Sequence, residues 1–355
     1  MDPLLETLGE RGLQRFHSLK PDAVSAVAER FYATLSSTYA QFGTRGRDAC
    51  REDLAFHLEF LKPVLEFGLL GPLVDYLCWL ASVLVARSIP AEHLALSLDW
   101  LAEFFATNME PLDSAVVTGA LRAARTEFLA ASKTPLVPSA PPEPGSEAAF
   151  QTALLVGDQH EALAVMNRCL DSGQNLVDVE LHVIQPAMYQ IGEKWQANQV
   201  TVAQEHIATA IVQSVMTAAL LRSPPPAPIG KRVLLACVAG NHHTVGLRMV
   251  ADSFQLSGWE VQYLGADVPT SSLIQQIGLW APDLVGLSLS FAQQLPVVKD
   301  VIARLHARFG PARPSVIIGG LVVNRFDRLV DLVGADAYGS DARAAIGTAK
   351  QLVSV

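Results

Sequence analysis

At 355 residues the chain is long enough for two or three domains, each burying its own core. Half the residues are hydrophobic, 17% are charged and the formal net charge is −9. No basic field is offered to a nucleic-acid backbone or an anionic membrane, so direct binding to either is not expected.

Cys50, Cys78, Cys169 and Cys237 are scattered, form no CxxC pair and lie in apolar surroundings, as reduced thiols of a cytoplasmic protein do. The N-terminal stretch "MDPLLETLGERG" carries acids where a secretory signal needs a basic region and an apolar core. The longest apolar window, residues 76–86, is shorter than the roughly 20 residues of a membrane helix. A cytoplasmic location is expected.

Two proline-rich stretches, 133–147 and 223–230, read as linkers that divide the chain into three parts. Residues 1–132 show helical periodicity, with about six helices. Leu54, Phe56, Leu58, Leu61, Val64 and Leu65 form one apolar series, Pro63 is expected to kink or end that helix, and Pro90 is expected in the first turn of another. Residues 148–222 suit a small four-helix bundle, with polar breaks at 172–175 and 196–202.

Residues 231–355 change period. "RVLLACVA", "EVQYLGA", "DLVGLSLS" and "SVIIGG" are short β-rich runs separated by helical stretches, the pattern of a parallel sheet covered on both faces. Such sheets bind ligands beyond the carboxyl ends of their strands. There lies "GNHHTVG", Gly240 to Gly246. His243 stands two residues after Asn241, whose side chain is placed to bond the second imidazole nitrogen, and three before Gly246, which opens the next helix. By itself the loop reads more simply as a polar helix cap. Small residues at the next strand ends, Ser288 and Ser290, then Gly319 and Gly320, leave a slot for an extended tail.

With those motifs the segment 231–355 resembles a cobalamin-binding Rossmann-like domain, whose pattern is Asp/Glu-x-His-x-x-Gly, then Ser-x-Leu, then Gly-Gly. Here it reads "NHHTVG", "SLS" and "GG", and "YLGADVP" at 263–269 fits the family's second strand and loop. The resemblance implies that His243 is the lower axial cobalt ligand in place of the cofactor's dimethylbenzimidazole. The displaced tail would run past Ser288 and Ser290 to Gly319 and Gly320. His242, Thr244, Val245, Gly246, Leu321 and Tyr338 complete the implied contacts, with His242 turned away from the cobalt. Asn241 departs from the family's carboxylate, which implies weaker donation by His243, and Ser290 departs from its leucine.

In the bundle, Trp195, Glu205 and His206 match the Trp-x9-Glu-His signature of adenosylcobalamin photoreceptors. In isolation they are a core tryptophan and a solvated helix face. The resemblance implies that they surround the upper 5'-deoxyadenosyl group, and that light cleaves the cobalt–carbon bond and lets the bundle move. Gln196 stands where the transcriptional sensors of this family have a histidine, so no bis-histidine adduct is expected through it. No basic recognition helix matches their DNA-binding domain. The N-terminal part instead resembles the globin-like fold of non-haem bacterial sensors and, with the cobalamin module, the photocobilins. This implies non-covalent biliverdin as a second chromophore, near Phe56, His57, Tyr76, Trp79, His93 and Trp100, although aromatic residues at helical spacing are more often core.

The expected protein is thus multidomain, α and α/β: a globin-like helical domain (1–132), a four-helix bundle (148–222) and a Rossmann-like cobalamin domain (231–355). Its expected role is light-sensing regulation, without enzymatic activity, read out by a light-dependent homo-oligomer or a separate output protein. A corrinoid methyl carrier is the alternative.

Overall fold

The computed structural model describes residues 4–131, 145–326 and 328–353. The chain falls into two compact units, Met1–Val137 and Pro138–Val355. Most of the linker expected at 133–147 lies outside the described residues.

The first unit is all-α: α1 Glu10–Thr34, α2 Ser36–Tyr39, α3 Gly43–Phe67, α4 Gly71–Val85, α5 Glu92–Asn108 and α6 Pro111–Ala131. Apolar residues three and four apart bury one stripe of each long helix, such as Phe16, Leu19, Ala23 and Val27 on α1 and Leu54, Leu58, Leu61 and Leu65 on α3. Phe56 lies off that stripe and is exposed. Pro63 does not end α3, which runs on to Phe67; Pro63 is itself buried, so packing holds the turn that its missing N–H weakens. The helix stops at Gly68, whose left-handed backbone (φ 72) lets its N–H reach the Val64 carbonyl. Pro90 lies ahead of α5 rather than in its first turn, and its carbonyl accepts from His93 N–H.

The second unit opens with the bundle: α7 Ser146–Val156, α8 Gln159–Asp171, α9 Leu176–Val179 and α11 Val202–Arg222, with α10 Gln185–Gln196 joined to α9 by a π-turn, Glu180–Ile184. Side-chain caps set the starts: Asp158 Oδ1 accepts from Glu161 N–H, Asn175 Oδ1 from Asp178 N–H, and Thr201 forms a capping box with Gln204. Phe150, Leu154, Met166, Ile184, Ile191, Val212 and Met216 fill its core.

A five-stranded parallel sheet follows: β1 Arg232–Val238, β2 Glu260–Val268, β3 Leu284–Ser288, β4 Ser315–Gly319 and β5 Ala337–Gly339, in the order β2-β1-β3-β4-β5. The connecting helices are α12 Val245–Leu256, α13 Thr270–Trp280, α14 Leu295–Phe309, α15 Leu321–Arg325, α16 Leu329–Val333 and α17 Ala342–Val353. The α12 and α17 helices pack together, and α13 packs on α14. Strand order reverses between β1 and β3, so a crevice opens at their carboxyl ends. The sheet confirms the Rossmann-like expectation and adds β5, too short for a sequence signal. Ser290 lies beyond the end of β3, in the following loop.

Candidate functional site

The loop after β1 is held by hydrogen bonds that are exposed at Gly240 and buried at Asn241. Gly240 turns it with φ 81, its N–H donating to Asp267 Oδ1 at 2.7 Å and its carbonyl accepting from Gln294 Nε2 at 2.8 Å. Asn241 is fully buried; its Nδ2 donates to the Ser288 carbonyl at 2.9 Å, and its Oδ1 accepts from His243 N–H and from Ser290 Oγ, both at 3.1 Å. The side chain of Asn241 therefore holds the backbone of His243 and not its imidazole, correcting the role expected of it. The short reach from 241 to 243 favours the peptide N–H. Asp267 and Gln294 carry the loop as fully as Asn241 does, and no spacing in the sequence marks them.

A cavity of about 860 Å³ opens above this loop. Its lower wall carries His242, His243, Thr244, Val245 and Gly246, then Ser288, Ser290, Gly319, Gly320 and Leu321. His242 lines the cavity beside His243 and is not turned away from it. Asn241 lies beneath the wall as support. Tyr338 is absent from the lining: residues alternate along β5, and Gly339 takes the inward position.

His243 sets its ring edge-on to Phe291, with centroids 5.2 Å apart, and among the described residues no hydrogen bond takes up its imidazole nitrogens. Burial lowers its pKa, Glu205 across the cavity raises it, and His242 lowers it further. The net result is a neutral imidazole with a lone pair to offer, the form that binds metals.

The bundle supplies the opposite wall: Trp195 from α10, Glu205 and His206 from α11. Capping at Thr201 starts α11 so that Glu205 falls in its first turn, where the helix dipole favours a carboxylate. Glu205 accepts from Thr209 Oγ1 at 2.9 Å and pairs with His206 Nδ1 at 2.6 Å. Gln213 of α11 ties the two walls, donating to Thr244 Oγ1 at 3.0 Å.

Between the sheet and the α12 and α17 side the cavity deepens into an apolar slot lined by Leu235, Phe254, Leu284, Ile317 and Ala345. Glycines open it. A Cβ on Gly286 would stand 2.4 Å from Leu235 Cδ2, and one on Gly320, where φ is +114, 2.1 Å from the Leu289 carbonyl oxygen. At Gly246 and Gly192, on the cavity itself, a Cβ would meet nothing within 4 Å, leaving room for a flat ligand. No group of three or more His, Cys, Asp or Glu able to hold a metal occurs among the described residues. A lone neutral histidine over a long slot suits a metal that arrives in its own macrocycle with a tail, and the residues fit cobalamin on these grounds.

The expected bilin contacts lie in the first unit. His57 is buried, its Nδ1 3.0 Å from Tyr76 Oη, and Tyr76 stacks on Phe60 at 3.9 Å. Burial drives the His57 pKa down to about 4. Trp100 is buried against Phe31, and His93 Nδ1 lies 2.8 Å from Tyr39 Oη; Phe56 and Trp79 are exposed.

Two family models, both described as B12 binding domain, match residues 147–220 and 231–347. A dimethylamine corrinoid protein 3 of Methanosarcina mazei is 32% identical over 117 residues, 33% of this chain and 69% of that protein. The chain belongs to the cobalamin-binding family. Two further members of it from Myxococcus xanthus are HTH-type transcriptional repressors: CarA, 30% identical over 173 residues (48% of this chain, 57% of that one), and CarH, 31% identical over 140 residues (39% and 45%). The chain thus spans about half the length of these two repressors. Family members named as repressors lend no support to the expectation that nucleic acid is not a partner. No helix among the described residues is long and apolar enough to cross a membrane.

Proposed function

We propose that the second unit holds adenosylcobalamin and acts as a light-operated regulatory switch, not as an enzyme. The observation that carries this reading is a single cavity with His243 on one wall and Trp195, Glu205 and His206 on the other. When bound, the cofactor supplies a cobalt–carbon bond that green light breaks. His243 would offer its neutral nitrogen to the cobalt, and Asn241 fixes the backbone that carries it. The slot past Ser288, Ser290, Gly319 and Gly320 receives the tail. Trp195 and the Glu205–His206 pair would cover the adenosyl group, and its loss would remove their contacts and free the bundle to shift. Gln196 supplies no imidazole, so any protein ligand to the cobalt after light would have to come from His206, with water as the alternative.

Absorption spectra of the adenosylcobalamin-loaded protein before and after green light test this. A light-inert spectrum would sink the reading. In His243→Ala the lower-ligand signature is expected to disappear, with affinity falling beyond the roughly 10–100-fold typical of losing a ligand's supporting partner. A bis-imidazole light state that survives His206→Ala would overturn the assignment at Gln196.

The coverage of the dimethylamine corrinoid protein favours a second reading, a methyl carrier. Methyl transfer to a partner methyltransferase, together with light inertness, would select it. For the first unit we propose a globin-like sensor role of the photocobilin kind, with biliverdin held non-covalently near Phe56, His57, Tyr76 and Trp79. The exposed rings of Phe56 and Trp79 support it, and the absence of a red absorption band after adding biliverdin would remove it. Output passes through a light-dependent homo-oligomer or a separate partner in a cytoplasmic setting.

A further inference from the structure

Glu180 opens the π-turn between α9 and α10 and is fully buried. π-turns are uncommon and concentrate at functional positions. Opposite it, on α12, Asp252 is also buried, its Oδ1 bonded to Arg248 Nε at 2.7 Å. Among the described residues no N–H or hydroxyl donor reaches either oxygen of Glu180 or Asp252 Oδ2, so only a proton on one carboxyl can join them. Two carboxyls and one guanidinium thus meet where the bundle rests on the Rossmann-like part, with three acceptor oxygens unsatisfied. Two buried carboxylates facing each other are resolved most simply by one shared proton.

We propose that Glu180 carries a proton shared with Asp252 while the bundle is seated on α12, and that separating the two surfaces releases this proton to water. The seating of the bundle is then pH-dependent. Only the opening by light rests on the proposed switch; the shared proton stands without it.

Burial first, then the charge and hydrogen bond of Asp252, raise the Glu180 pKa, and Arg248 opposes them. Asp252 is raised too, by burial, with Arg248 opposing. Other charged groups nearby are engaged elsewhere. Asp178 pairs with Arg343 of α17, Glu147 of α7 accepts from Gln190, Glu161 and Arg168 of α8 pair on an exposed face, and His182 is exposed. Tyr263 of β2 lies beyond Arg248, whose guanidinium sits 5.9 Å from its ring. A group with a raised pKa in the seated state stabilises that state fully below its ordinary carboxylate pKa, and the stabilisation fades as pH rises above it. Acid therefore favours seating, and alkali favours opening.

Infrared spectra of the full chain in the dark, wild type minus Glu180→Gln, test the shared proton directly. A protonated carboxyl C=O band that shifts in D2O and is missing from the variant is expected; its absence from the wild type overturns the proposal. If Glu180→Gln does not fold, Asp252→Asn must shift the same band, and an unmoved band overturns the proposal equally. Amide exchange over 176–184, corrected for its intrinsic pH dependence, should accelerate with rising pH in the wild type and not in Glu180→Gln; equal profiles count against it. With adenosylcobalamin bound, a flash in weak buffer with a pH dye should release about one proton per opened protein in the wild type and none in the variant. A C=O band without any light response supports the shared proton and sinks the light switch.

Discussion

Two histidines set the two units apart. His57 is closed within the first unit, 2% exposed, with its ring bonded to Tyr76 and its pKa pushed down to about 4 by burial. His243 stands on an open wall; its backbone N–H is bonded to Asn241, its ring packs edge-on to Phe291, and it lines a cavity. In the first case the fold satisfies the imidazole, and in the second it satisfies everything around the imidazole and leaves the nitrogens to a ligand. Support of the backbone with release of the side chain is what distinguishes a ligand-ready histidine from a core one.

The most severe way to break this contrast is Asn241→Ala. It strips partners from the Ser288 carbonyl, the His243 N–H and the Ser290 hydroxyl at once, and urea unfolding of the second unit should show a loss of about 4 kcal/mol. Asn241→Asp should not rescue it, because the amide donor to Ser288 is lost and a buried charge is added. Next comes acid. His57 is held below its ordinary 6.5, so the stability it lends is complete above 6.5 and is lost as pH falls toward about 4. The stability of the first unit against denaturant should fall by about 3 kcal/mol over that window, and His57→Phe should flatten the slope. On the upper wall, Thr201→Ala removes the cap that starts α11 and should cost about 1 kcal/mol, with looser packing around Glu205. Smallest is Arg343→Ala, which removes a largely exposed ion pair with Asp178 and should change stability by less than about 1 kcal/mol. A larger loss there would mean that the surface pair, and not the buried carboxyls, seats the bundle.

Much of the architecture was legible. Helical spacing in the first part, polar breaks in the bundle and the switch to short β-rich runs after Lys231 each follow from local periodicity, and the structure has helices and strands there. The glycine-bounded "GNHHTVG" loop and the small residues at 288, 290, 319 and 320 were legible too, because strand ends in parallel sheets are where such residues have meaning. Other features were not. Pro63 reads as a break until packing carries α3 through it. Ala337–Gly339 is too short for periodicity, and so Tyr338, one position out of phase with Gly339, reads from the sequence as a contact.

What the sequence determined by itself is most of the elements and the family to which they belong, since both rest on residues close together in the chain. Only the tertiary structure decided which side chains meet: Asp267 and Gln294 beneath the histidine loop, Glu205 across the cavity from His243, and Glu180 against Asp252. These pairs join residues 27 to 72 positions apart or on separate layers. No local pattern encodes them, because hydrogen bonding and desolvation act through space and depend on burial that exists only after folding.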